Sequence, residues 1–168
     1  MNPQQILGLQ VLLSLVGWAL LARWYVSPRL ATRPREEALP PLLLPHAFRH
    51  MGLVFLLPTV VGGALPPAFA RPAAYGDLAA GLLAVAAMLA LRSRWSIAVP
   101  LTWLFSVEGL ADLANAFYQG LSHNVSLGAA YYIPSLVVPG LVVTHVMIVR
   151  ILLGHPGSRA HLPAPSHM

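Results

Sequence analysis

The sequence predicts an all-α integral membrane bundle of five transmembrane helices, with the N-terminus outside and the C-terminus cytoplasmic. Three observations lead there. Hydrophobic residues make up 57% of the chain and charged residues only 9%, whereas a soluble domain carries roughly a quarter charged. Apolar runs near the ~20 residues that cross ~30 Å of hydrocarbon recur five times. The arginines fall almost entirely on one side of those runs.

The first run, from about Gln4 to Arg23, ends in the interfacial cluster Arg23, Trp24 and Tyr25. Its leading segment, MNPQQILGLQ, lacks the positive n-region of a cleavable signal, so it reads as a retained helix. Residues 26–44 contain Pro28, Pro34, Pro40 and Pro41 and read as a loop too polar and broken to span. The second helix is expected from about Pro45 to Leu65, with Pro58 inside it, and the third from about Ala73 to Leu91. The fourth runs from about Ser96 to Gln119, and the fifth from about Ala129 to Leu153 with kinks at Pro134, Pro139 and Gly140. Prolines are tolerable in such spans because neighbouring helices satisfy the freed carbonyls. Residues 1–154 thus form one five-helix domain, and 155–168, HPGSRAHLPAPSHM, read as a disordered C-terminal tail.

Orientation follows from the arginines. Arg23, Arg29, Arg33, Arg35, Arg49, Arg92, Arg94, Arg150 and Arg159 flank one side of the five-helix arrangement, and only Arg71 flanks the other. Positive charge accumulates on the cytoplasmic side. All ten basic residues are Arg, and richness in Ala, Leu, Pro, Gly and Arg without Lys points to a bacterial inner membrane. The arginines form no basic helix face, so nucleic acid is not an expected partner despite a pI of about 10.5. With no Cys, disulfides and thiolate chemistry are excluded. No metal site, phosphate-binding loop or nucleophile elbow is present in the pattern.

Acids in the fourth span carry the functional expectation. Glu108, Asp112, Asn115 and Gln119 are offset by four, three and four, which lines them along one face of an α-helix. An acid at bilayer depth costs about 2.5 kcal/mol or more and usually faces the bundle interior or a wet cavity. Glu108 and Asp112 are therefore the candidate catalytic acid–base pair, with Asn115 beside them for ligand binding. Counting the rise along each helix puts Asp77 near Asn115, and His50 level with His145 just cytoplasmic of Glu108. His46 shares a helical face with His50. The candidate site is thus Glu108, Asp112, Asn115, His46, His50, His145 and Asp77.

The function expected is a buried polar site that binds a small or lipidic ligand, with acid–base catalysis on a hydrophobic substrate as its enzymatic form. The alternatives are proton or solute transport along the polar column, an accessory role in a larger membrane complex or homo-oligomer, and b-type haem ligated by His50 and His145. The cofactor is otherwise unspecified.

Overall fold

The computed structural model describes residues 1–154, and the expected tail at 155–168 lies outside the described residues. Every element is helical, and no strand occurs among the described residues. Helix α1 spans Pro3–Leu30, and α2 spans Arg35–Leu43 and continues without interruption into a 3-10 segment, Leu44–Leu56. A single turn, α3 (Pro58–Val61), precedes the antiparallel pair α4 (Pro67–Arg92) and α5 (Ala98–Ser122); α6 covers Gly128–Leu153. Three helices are long and apolar enough to cross a membrane: α1, α4 and α6, with mean hydropathies of 1.9, 1.8 and 2.3.

The expected loop over 26–44 is a correction. Helix continues to Leu30, and α2 resumes at Arg35, leaving only a short turn. A π-helical stretch, Ala22–Val26, precedes Pro28 and sets it in a new first turn, where its missing N–H matters least. Pro34 caps α2 in an extended conformation. Pro40 and Pro41 free the carbonyls of Glu36 and Glu37, both of which are exposed and can bond to water.

The second expected helix also changes form. The 45–65 run is not one α-helix; Leu44–Leu56 winds as a 3-10 helix and stops at Leu57, and only the single turn Pro58–Val61 is α-helical. A 3-10 run of 13 residues is long for a conformation commonest in runs of three or four. At ~2.0 Å per residue it extends about 26 Å, a length that an α-helix covers in about 17 residues. Its period of three puts His46, Arg49, Gly52 and Phe55 on one buried face.

That face packs against α4, whose buried positions are mostly Ala or Gly: Ala73, Ala74, Ala80, Gly81, Ala84, Ala87 and Ala90. Small side chains let two backbones approach closely without a hydrophobic solvent force. At Gly81 a Cβ would stand 3.3 Å from the His50 amide nitrogen. Two apolar clusters result. One gathers Leu39, Leu42, Leu43, Phe105 and Ile148, and the other Phe55, Val61, Phe69, Ala74 and Ala130. Along the 3-10 segment His46 and Arg49 fall between the two, and along α4 Asp77 does the same.

Helix α1 is peripheral. Only 6% of its most apolar window is buried. It is held to α6 by Trp18, whose Nε1–H donates to Leu136 O at 3.0 Å. The ring lies over Gly140, where a Cβ would come within 2.8 Å of it. Leu136 belongs to a π-helical stretch, Ile133–Val137, that contains Pro134, so the expected kink is a widened turn whose carbonyl the indole caps.

Candidate functional site

Asp77 lies ten residues after the start of α4, and Asp112 lies ten residues before the end of α5. Because the helices are antiparallel, both carboxylates sit at one depth, about 15 Å from the same end of the pair. Arg49 reaches between them from the 3-10 segment. Its Nε donates to Asp77 Oδ1 at 2.7 Å and its Nη2 to Asp112 Oδ2 at 2.5 Å. Nη1 donates to Gly109 O at 3.3 Å. The Arg49 side chain is 1% exposed, against 13% for Asp77 and 7% for Asp112. The guanidinium fork suits this bridging, since its donors diverge in a fixed plane.

Three glycines make the room. A Cβ at Gly52 would overlap the Asp77 carboxylate, and one at Gly76 would overlap that of Asp112. At Gly109 a Cβ would stand 2.9 Å from Arg49 Nη1 and 2.8 Å from His145 Nε2. The chain therefore packs the ion cluster against bare backbone on each of the three elements that build it.

Beside the cluster, His46, His145 and Phe105 form a buried aromatic knot. The His46 and His145 rings meet edge-on with centroids 4.3 Å apart, and His145 stacks on Phe105 at 4.9 Å. The Thr144 hydroxyl donates to the carbonyls of Gly140 and Leu141, so its oxygen accepts from His46 Nε2–H at 2.9 Å. His46 Nδ1 and both ring nitrogens of His145 have no protein partner, although both residues are fully buried. Buried polar atoms are ordinarily satisfied.

A cavity of about 690 Å³ lies on the other side of the ion cluster. Its walls are mostly apolar, including Phe55, Phe69, Leu113 and Phe117, and Asp77 and Asp112 form its polar end. At the mouth are Asn2, Gln4, Asn124 and Tyr131. Gln4 is hydrogen-bonded to Asn124, and Tyr131 donates to Gln10 at 2.5 Å, so the start of α1 is tied across the opening. The volume falls within the range of about 300–1,000 Å³ typical of small-molecule sites.

Of the residues expected from sequence, Asp77 and Asp112 are joined through Arg49, and the rings of His46 and His145 meet. Glu108 is half-buried beside Gly109, with Oε2 unpartnered. Asn115 is half-buried and does not line the cavity. The inward face of α5 is set by Thr102, Phe105, Ser106, Gly109 and Leu113, which turns Glu108 and Asn115 to its margins. His50 is the clear departure. It is exposed, and its Nδ1 lies 3.0 Å from Ala47 O. An α-helical reading pairs His46 with His50 four residues on, whereas the 3-10 period pairs His46 with Arg49. The expected His50–His145 haem pair is therefore not formed; His46 stands there instead, in direct ring contact.

Arg49 is the residue that the sequence reading misses, since it counts as a flanking topology marker. A signal existed. Two acids in apolar helices require a buried cation, and Arg49 is the arginine inside an apolar run, HAFRHMGLVFLL.

The chain belongs to the family described as a domain of unknown function, DUF8737, whose model matches residues 6–153. No curated protein and no solved structure matches it.

Proposed function

Taking a membrane-associated member of that family as the premise, we propose that the chain binds a hydrophobic or lipidic small molecule in the cavity above Asp77, Arg49 and Asp112. The observation that carries this reading is one of shape and chemistry together: an apolar cavity of about 690 Å³ that terminates on two carboxylates. A site of that kind accepts an amphiphile, with its apolar body along Phe55, Phe69 and Phe117 and its polar head at the aspartates. In an enzymatic form, Asp112 is the acid–base group at the head and Glu108 its neighbour one turn away on α5.

Five crossings in a bacterial inner membrane, with the N-terminus outside, are part of the proposal. Beyond α1, α4 and α6, the remaining two are α5 and the continuous helix formed by α2 with the 3-10 segment. These two carry the intramembrane charges Arg49, Glu108 and Asp112, which lowers their hydropathy, and the pairing of Arg49 with Asp112 offsets the cost of that charge. The cavity then opens to the outer side.

A specific observation favours proton transfer as the second reading. On the inner side of the ion cluster His145, His46 and Thr144 follow one another in contact, with Arg49, which keeps its charge and passes no proton itself, lying between them and Asp112. The test of the first reading is mass spectrometry of lipids that co-purify with the protein. A defined species lost in Asp112→Asn supports ligand binding, and the absence of any retained species rejects it. Proton flux in proteoliposomes that persists unchanged in His145→Phe rejects the second.

A further inference from the structure

The charge around the cavity is one-sided. Among the residues that line it, Asp77 and Asp112 are the charged ones. Arg49 lies behind them and does not reach the cavity surface. An occupant therefore meets the carboxylates and not the guanidinium that holds them. With both aspartates ionised, one cation faces two anions, which leaves an excess of one negative charge where low dielectric makes charge imbalance costly.

The hydrogen-bond pattern points the same way. Arg49 uses Asp77 Oδ1 and Asp112 Oδ2. The protein hydrogen bonds to these carboxylates fall on the other oxygens, and Asp77 Oδ2 and Asp112 Oδ1 lie against the bare backbone of Gly52 and Gly76 respectively. Because both aspartates line the cavity, a donor that carries positive charge completes the balance. Aromatic side chains Phe55, Phe69 and Phe117 on the approach tolerate a cation as well as an alkyl chain.

We infer that the occupant is a cationic amphiphile: an apolar body that ends in a protonated amine, with the ammonium on the cavity side of Asp77 and Asp112, opposite Arg49. The inference rests on the ligand-binding reading above and narrows it. An anionic head such as a fatty carboxylate meets two like charges, and a neutral alcohol leaves the excess charge uncompensated.

The experiment presents the purified protein with dodecylamine, dodecanol and dodecanoate at equal concentration and counts adducts by native mass spectrometry. The amine is expected to dominate the bound population, and Asp112→Asn is expected to cut its retention roughly tenfold, as loss of a charge-assisted hydrogen bond would. Equal or better retention of the alcohol or the carboxylate overturns the cationic head while leaving an amphiphile-binding cavity. Failure of all three to bind overturns the cavity reading itself. Amine retention that Asp112→Asn does not change also overturns the assignment of the head to the aspartates. The comparison among the three probes needs only the wild-type chain, so it stands even where the variant does not fold.

Discussion

Arg49 and Asp112, 63 positions apart in the chain, meet at 2.5 Å in a buried ion pair that joins the 3-10 segment to α5. The same guanidinium holds Asp77 on α4, so one side chain ties three elements. Removing one partner of a buried pair leaves its counter-charge without compensation, which costs more than the pair itself contributes.

Arg49→Met is accordingly expected to lower unfolding stability by about 3–5 kcal/mol, since it strands two carboxylates. Arg49→Lys keeps the charge but loses the fork that reaches both acids, and it should fall between the variant and the wild type. Thermal unfolding in detergent micelles measures both. If Arg49→Met melts with the wild type, the ion cluster contributes nothing to the fold.

Much of this architecture was legible in the sequence, and its failures have separate causes. Helix α4, α5 and α6 follow apolar runs that any helical period would find; α4 begins at Pro67, six residues before the expected Ala73, and the other ends shift by three residues or fewer. The segment from Leu44 to Leu56 does not, because assuming 3.6 residues per turn assigns the wrong inward face. Sequence spacing thus selects His46 with His50, and burial selects His46 with Arg49. The acids were visible because charge in an apolar helix is conspicuous. Arg49 was hidden because arginine beside an apolar run also serves as an interfacial marker.

Glycine substitutions separate packing from propensity. Gly76→Ala introduces a Cβ that overlaps the Asp112 carboxylate. It is expected to cost about 1–3 kcal/mol as overpacking and to displace that carboxylate from Arg49. Gly8→Ala and Gly17→Ala, in α1 with nothing within 4 Å of the new methyl, should be neutral or stabilising by up to about 1 kcal/mol. Melting curves of the three variants make the comparison. A neutral Gly76→Ala contradicts the close approach of α4 and α5 at Asp112.

Thr144 tests the histidine knot. Thr144→Val removes the acceptor of His46 Nε2–H inside a fully buried ring cluster and should cost about 1–3 kcal/mol. His46→Leu combined with Thr144→Val removes donor and acceptor together, so the double variant should lose less than the two single losses combined. A double-mutant cycle by denaturant unfolding gives the coupling, expected at about 0.5 kcal/mol or more. Strict additivity would mean that the hydroxyl and the ring do not interact.

The cavity can be closed without touching its charges. Ala116 on α5 lines the apolar wall and packs beside the cluster of Phe55 and Phe69. Ala116→Trp fills that space, and the expected outcome is loss of any co-purifying ligand, with unfolding stability held within about 1 kcal/mol because an indole replaces empty volume. Ala114→Trp, exposed on the same helix and away from the cavity, serves as the matched control and should leave the ligand in place. The contrast matters because Asp112→Asn alters both charge and hydrogen bonding, whereas Ala116→Trp alters only room. If both tryptophan variants retain the same bound species, the ligand lies elsewhere on the bundle and the aspartates serve to hold helices together.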